Sequence, residues 1–380
     1  MDQDYLKSRI AKLVSERNVK KDTDPKDQAI MDLFQDSISY KYSNSPIDLE
    51  CIKSIIYNDI KNIEPKDHMS FFGSDIRYMW GSTAAEIKTD KIIKNTIENK
   101  RMYIMEDTFI RSIATVSHKF TGIDPVYLNS CGYTIDDLSH YVDATRPSRM
   151  ELVINSDLEI TEEQKQRARV LINKIIENKI TKYNNQPIYE PNIGRDGVPK
   201  ILVIDQSYND SSILKGMGSD QTFKNMLDSA INDNPGADII IKTHPDAVGS
   251  LSLKQKCYYQ YVEEKENVYK ITDMINPISL INYVDKVYVC SSQFGFESLM
   301  CNKETHIFGM PFYAGWGLTH DAQKLERRTK QRSLEEIFYI AYIMFSIYIN
   351  PKTNKPCEIE DAIDFLIDLR YQYFKEQENG

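Results

Sequence analysis

The 380-residue chain is predicted to be an α/β protein whose back half forms a parallel sheet with helices on its faces. Three observations predict this. From residue 201 onward short apolar runs alternate with helical patterns, each run is bounded by polar loop residues, and a composition of 41% apolar and 27% charged residues leaves enough apolar side chain for a sizeable core.

The elements follow in order. Leu6, Ile10 and Leu13 recur at helical spacing, as do Ile52, Ile55 and Ile56, and residues 88–100 continue the helical pattern. The apolar runs at 102–105 and 126–128 suit buried strands. Thr161-Glu-Glu-Gln164 is a capping box that opens a helix reaching about residue 180. Residues 182–199 are rich in Asn, Pro and Gly and mark a domain boundary. Beyond it the pattern runs strand 201–204, helix 223–232, strand 238–241, helix 253–264, strand 286–290, helix 294–301 and strand 305–308. Ser333-Leu-Glu-Glu336 is a second capping box, and it opens an apolar helix expected to continue to Ile349. A last helix is expected over 358–375. Three segments result: 1–190 with a helical leader, 191–332 as a Rossmann-type sheet, and 333–380 as helices packing back.

Several function classes are excluded or demoted. The net charge of −9 argues against a wide basic footprint and so against nucleic acid as partner. The first residues are charged throughout, so no secretory signal is expected there. The longest apolar stretch, 337–349, falls short of the roughly 20 residues a spanning helix needs. The six cysteines form no C-x-x-C pair, which suits free thiols in a reducing cytoplasm and no zinc finger. No G-x-G-x-x-G or Walker A sequence occurs, and Gly216-Met217-Gly218 is too short to be a phosphate loop by itself.

In an open parallel sheet the ligand sits beyond the carboxyl ends of the strands. The residues that follow each apolar run are therefore the candidates. After 201–204 come Asp205, Gln206 and Asp210. After 238–241 come Lys242, Thr243 and His244, with Pro245 biasing His244 away from helical geometry. After 286–290 come Ser291, Ser292, Gln293 and, one turn on, Glu297, where hydroxyls and free helix-start amides offer an anion site. After 305–308 comes an aromatic, Gly-rich loop with Tyr313 and Trp316 that suits a pocket lining. In the first half, Glu106 and Arg111 follow the run at 102–105, and Arg146 and Arg149 offer guanidinium groups for a carboxylate or phosphate. Taken singly, each has a structural reading as a cap, a core residue or a solvated side chain. Their recurrence at successive strand ends points to an α/β enzyme that binds a phosphorylated or nucleotide-linked ligand.

Glu106-Asp-x-Phe-x-Arg-Ser112, Tyr141-x-Asp-Ala-Thr-Arg-Pro-Ser148, Asp205-Gln206 with Asp210, Lys242-Thr-His-Pro245, Ser291-Ser-Gln-x-Gly-Phe-Glu297 and Pro311-Phe-Tyr-Ala-Gly-Trp-Gly-Leu-Thr319 occur in that order. With these motifs the chain resembles the KpsC-type capsule polysaccharide proteins, bacterial β-Kdo transferases of the LipA/LipB-like capsule-synthesis family, from about residue 70 to about 366. Such proteins commonly carry two modules in tandem; this chain carries one, similar to the N-terminal module.

The resemblance implies a GT-B-like fold, two Rossmann-type domains facing a cleft, and retaining transfer of Kdo from CMP-Kdo to a lipid-linked saccharide. It maps the nucleophile onto Asp210, with Asp205 as second choice, and suggests Glu106 as base. His244, Lys242, Ser291 and Ser292 would face the phosphate, with Gln206 and Gln293 beside the donor. Glu297 would hold ribose hydroxyls, Tyr313 and Trp316 would line the pocket, and Arg111, Arg146 or Arg149 would meet the sugar carboxylate or the acceptor. No cofactor and no metal are expected, because CMP carries a single phosphate. A cytoplasmic protein is implied, with peripheral contact to the inner membrane or a capsule export complex. Lys7, Arg9, Lys12, Arg17, Lys20 and Lys21, or Arg327, Arg328, Lys330 and Arg332, would then offset the acidic net charge near anionic lipid. Three alternatives share these residues: another CMP-nonulosonic acid donor such as CMP-pseudaminic acid, a non-catalytic capsule-assembly or export module, and an epimerase-like enzyme of the same fold acting on UDP-sugars.

Overall fold

The computed structural model describes residues 70–72, 76–80, 101–115, 123–136, 138–244, 256–350, 352–353 and 355–379. The helices expected within the first hundred residues and the basic set from Lys7 to Lys21 lie outside them. The chain divides into two compact units. The first comprises Met1–Met105 and Asp136–His140, the second Glu106–Ile135 and Tyr141–Gly380. The second unit runs without a break through both 190 and 332.

In the first unit the described strands are β1 (Ser70–Phe72) antiparallel to β2 (Ile76–Trp80), and β2 parallel to the start of β3 (Arg101–Asp107). β3 leads into the second unit at Glu106.

The second unit is built on a six-stranded sheet that is parallel throughout. Its strands are β5 (Lys200–Ile204), β6 (Asp238–Lys242), β7 (Val268–Ile271), β8 (Lys286–Val289), β9 (Glu304–Ile307) and β10 (His320–Asp321). Their order is β10-β9-β8-β5-β6-β7. That is the doubly wound arrangement, with β5 and β8 adjacent where the chain reverses its direction of winding. The strands read as continuous Ile, Val and Leu because helices cover both faces. On one face Ile201, Val203, Ile239, Ile241 and Tyr288 pack under Phe223, Met226 and Ala230 of a long helix, Asp220–Asn232.

The α-helices among the described residues are α1 (Arg149–Ile154), α2 (Glu162–Glu177), α3 (Ser211–Lys215), α4 (Asp220–Asn232), α5 (Pro277–Tyr283), α6 (Phe294–Met300), α7 (Leu334–Phe338) and α8 (Ile359–Asn379). Both capping boxes form, at Thr161 with Gln164 and at Ser333 with Glu336. None of the described helices is long and apolar enough to cross a membrane.

Three sequence expectations fail, each for a local reason. Residues 126–128 are not a strand but the end and C-cap of a 3-10 helix, Pro125–Tyr127: Asp124 accepts the Val126 N–H at 2.8 Å and Pro125 occupies the first helical position. Residues 256–264 form a bridge and turns where a helix was expected, because the Tyr258 and Tyr259 amides are drawn to the Asp205 carboxylate. The apolar run after Ser333 does not stay helical. It passes from α7 into a π-helix at Tyr339–Met344 and then into β11 (Ser346–Asn350). β11 pairs antiparallel with β4 (Gly132–Asp136) through Thr134, Tyr133 and Gly132, and with β12 (Lys355–Cys357). Ser346 Oγ donates to the Ala341 carbonyl at 2.8 Å and Tyr348 OH to the Tyr342 carbonyl at 2.9 Å. Those bonds satisfy the helix-end carbonyls just where Ile347 and Ile349 favour a strand.

Candidate active site

The crevice at the winding reversal lies beyond the carboxyl ends of β5 and β8, and the two strand ends are tied together there. The Ser291 N–H donates to Gln206 Oε1 at 3.0 Å, and Gln206 Nε2 donates to Ser291 Oγ at 3.3 Å. Beside Gln206, Ser207 Oγ lies 3.2 Å from Nδ1 of His244, which follows β6. The ends of three neighbouring strands thus meet in one hydrogen-bonded row.

The two aspartates of the β5 loop have different surroundings. Asp205 is buried, and its carboxylate accepts the backbone N–H of Gln206 (2.9 Å), Tyr258 (3.0 Å) and Tyr259 (3.2 Å). Burial pushes it up to about 6 against those bonds. Its geometry is that of a clamp on the strand end. Asp210 is exposed and caps α3, with Oδ1 accepting the Ser212 N–H at 2.8 Å and the Ser212 hydroxyl at 2.6 Å. Lys242 is buried beneath the same edge, donates to the Thr243 carbonyl at 2.9 Å, and is pulled down to about 8 by burial.

The remaining motifs join this row within the second unit. Gln293 Nε2 donates to the Phe109 carbonyl at 2.7 Å, which brings the Glu106–Ser112 motif to α6. The Lys215 carbonyl at the end of α3 accepts the Ala144 N–H at 2.9 Å, which brings in the Asp143–Arg146 loop. Tyr141 rests against Phe109 and Phe312. Tyr313 OH donates to the Ser292 carbonyl. All six motifs that carry the resemblance are therefore linked by direct contacts.

Several expected roles are not what the geometry provides. Tyr313 and Trp316 are packed into the core. Both are fully buried, and Trp316 donates to the Phe312 carbonyl at 2.8 Å under the Arg328 guanidinium. Glu297 is buried too. It takes a bond from Gln293 Nε2 at 3.4 Å and another from the Lys182 backbone, and burial pushes it up to about 7. The amides at the start of α6 are not free: Ser292 Oγ accepts the Phe294 N–H, and the Ser292 and Gln293 carbonyls accept the next ones. Arg111 is buried on Ser112 Oγ and the Leu128 carbonyl, Arg146 lies 3.2 Å from Asp143, and Arg149 is buried in the first turn of α1. The basic run is no open patch either. Arg327 and Arg328 both hold Glu151, Lys330 meets Asp157, and Arg332 donates to the carbonyls of Ile154, Ser156 and Leu158.

Sequence reading missed a charged group behind Glu106. Asp107 Oδ2 lies 2.7 Å from Arg111 Nε, while Asp107 Oδ1 is buried with no hydrogen-bond partner. Lys182 faces Glu106, Asp107, Tyr141 and Tyr183; burial works against its ammonium, and these neighbours outweigh it and raise the group. No periodicity or motif marks Lys182, since it sits in the irregular segment read as a linker. A groove of about 650 Å³ opens elsewhere, along α4 beside Phe308 and Gln323. Its charged lining is Asp228 and Asp233, with no cation, which disfavours a phosphorylated donor.

The family model described as "Capsule polysaccharide biosynthesis protein" matches residues 165–352. Capsule polysaccharide modification protein LipA of Neisseria meningitidis serogroup A is 35% identical over 275 residues, which is 70% of this chain and 38% of LipA. The chain thus spans well under half the length of that curated relative. Lipopolysaccharide-processing protein LpsZ of Rhizobium meliloti is 31% identical over 288 residues, covering 75% of this chain and 62% of LpsZ. Among solved structures, the β-Kdo 2,4 transferase of Thermosulfurimonas dismutans KpsC is 35% identical with a TM-score of 0.67, over 76% of this chain and 86% of that one.

Proposed function

The chain belongs to the KpsC-type capsule polysaccharide biosynthesis family, and from that premise we propose that it is a retaining β-Kdo transferase moving Kdo from CMP-Kdo to a lipid-linked saccharide. The observation that carries the reading is the gathering of all six motifs around the Gln206–Ser291 junction at the winding reversal. Likeness to a 2,4 transferase favours the 4-hydroxyl of an acceptor Kdo. The GT-B-like pairing of two Rossmann-type domains, and work at the inner face of the membrane, belong to the same proposal.

Retention follows from two inversions. An Asp210 oxygen bonds to the anomeric carbon while the bond from that carbon to the CMP phosphate breaks, and CMP leaves with the electron pair. Glu106 then takes the acceptor hydroxyl proton, the acceptor oxygen bonds to the same carbon, and the Asp210 carboxylate departs. Asp210 suits the first step because it is exposed, with a single oxygen engaged by Ser212. Asp205 positions the loop through its three amide bonds. Lys242 and His244, at the end of β6, are the groups this reading assigns to favour the charge of the departing phosphate. No metal is required for one phosphate.

The test uses the full chain with CMP-Kdo and a Kdo-ended lipid-linked saccharide, in excess EDTA, following CMP release and the intact mass of the protein. The expected result is turnover and a one-Kdo adduct on the peptide that holds Asp210. In Asp210→Ala turnover should fall by on the order of 10⁴, far beyond what the small drop in melting temperature from the lost cap on α3 can explain. An adduct on Asp205, or full turnover in Asp210→Ala, overturns the nucleophile. Turnover with CMP-pseudaminate and none with CMP-Kdo overturns the donor, and CMP release with neither would mark a non-catalytic assembly module.

A further inference from the structure

At the edge of the parallel sheet, away from the Gln206–Ser291 junction, three side chains capable of binding metal converge. Glu304 and His306 are first and third in β9, so strand alternation turns both to one face. His320 opens β10 and is the register partner of His306, so it joins them on that face. His306 Nε2 lies 2.8 Å from Glu304 Oε1, and one ligand atom from each of the three lies within 4.8 Å of the others. A ring stack crosses three strands, and the exposed His320 turns out of it when both imidazoles meet one ion in their ring planes. Tyr288 of β8 lies 4.3 Å from His306 with planes 4° apart, and His306 lies 4.7 Å from His320 with planes 18° apart. Tyr288 is itself held by Asn234, whose Nδ2 donates to its hydroxyl at 3.1 Å. Glu304 and His320 are exposed, which leaves room for a water as fourth ligand.

We propose that Glu304, His306 and His320 form a zinc site that clips the two-residue edge strand β10 to β9. Two imidazoles and one carboxylate with an open fourth position are a common zinc donor set, with metal–ligand distances of about 2.0–2.2 Å. The ion binds His306 Nε2 in place of its hydrogen bond to Glu304, and the neutral ring then carries its single proton on Nδ1. The nearest competitor is Lys286, whose Nζ lies 3.0 Å from Glu304 Oε1. Zinc displaces that ammonium or uses the second carboxylate oxygen. The clip closes the 308–319 loop, which β10 already anchors: Asp321 accepts the Gly315 N–H at 2.8 Å and the Thr319 hydroxyl at 2.6 Å.

Titration of the full chain with Zn²⁺, and separately with Co²⁺, tests the site. One saturable site is expected, with Co²⁺ giving the visible d–d bands of a four-coordinate nitrogen and oxygen set, and zinc raising the melting temperature. His306→Gln and His320→Gln should each weaken binding about tenfold or more while melting normally without metal. Lys286→Met keeps every ligand and should tighten binding severalfold. The proposal falls if no saturable binding is seen. It falls equally if the His306→Gln/His320→Gln double variant binds as well as the parent, or if Co²⁺ gives the charge-transfer band of a thiolate. None of these readouts depends on sugar transfer, so they stand apart from the donor and nucleophile tests.

Discussion

At the scale of single residues, Glu297 shows how burial converts a carboxylate into a pH-dependent stability element. It is 4% exposed, held by Gln293 Nε2 and the Lys182 backbone, and pushed up from 4.5 to about 7, chiefly by burial. A folded-state value above the unfolded one means that folding favours the protonated form. The stabilisation is complete below about pH 4.5 and is lost as the pH rises through about 7. At about 1.4 kcal/mol per pH unit of separation, the ionised carboxylate costs on the order of 3 kcal/mol at pH 8. Glu297→Gln keeps an oxygen to accept the same bonds and removes the charge. Its unfolding free energy in urea should fall less between pH 5 and pH 8 than that of the parent, by roughly that amount; parallel pH profiles would remove the buried-carboxylate account. The motif containing Glu297 was legible in the sequence, but its depth was not. A glutamate one turn into a helix looks the same whether it meets solvent or, as here, the backbone of Lys182, 115 positions away in the chain. Trp316 and Tyr313 illustrate the same gap, because an aromatic, Gly-rich loop has one composition whether its rings line a pocket or fill a core.

At the scale of elements, α6 is fitted to the 311–319 loop by one close approach. A Cβ on Gly295 would stand 2.3 Å from the Tyr313 hydroxyl and 2.8 Å from Val289 Cγ2, and that hydroxyl bonds the Ser292 carbonyl. Gly295→Ala should therefore cost about 1–3 kcal/mol and displace Ser291 from Gln206. Adding Tyr313→Phe removes the atom of closest approach and should recover part of the lost melting temperature. If the double variant melts no higher than Gly295→Ala, the contact is not the cause. The strands of this sheet were readable because each is a short, uniformly apolar run between polar turns, as two-sided burial demands. The run after Ser333 misled for the same reason. A stretch apolar on every side carries neither the 3.6 nor the 2.0 period, and pairing with β4 decides that Ser346–Asn350 becomes a strand. Residues 256–264 misled because the acceptor that unwinds them, Asp205, lies some fifty positions earlier in the chain.

At the scale of the whole molecule, the basic run near the end of the sheet shows how the acidic chain uses its cations. With a net charge of −9, residues 327–332 looked suited to meeting an anionic membrane. Instead Arg328 is a buried hub. Its Nε and Nη2 donate to Glu151 at 3.1 and 2.8 Å, its Nη1 donates to the Pro311 and Ala314 carbonyls at 2.7 Å, and its plane covers Trp316. It thereby joins α1, the 311–319 loop and the segment before α7, which are far apart in sequence. Lys330, two residues on, makes an exposed pair with Asp157. Removing one partner of a buried pair costs about 3–5 kcal/mol, whereas an exposed pair contributes about 0–1 kcal/mol. Arg328→Met should lower the unfolding free energy by that larger amount and weaken the packing of Trp316, visible as a red-shifted tryptophan emission. Lys330→Met should melt like the parent. A membrane-facing run makes the opposite forecast: both substitutions would leave stability alone and reduce co-sedimentation with anionic vesicles to the same degree. Equal melting temperatures for the two variants would therefore return these cations to the surface and undo the hub.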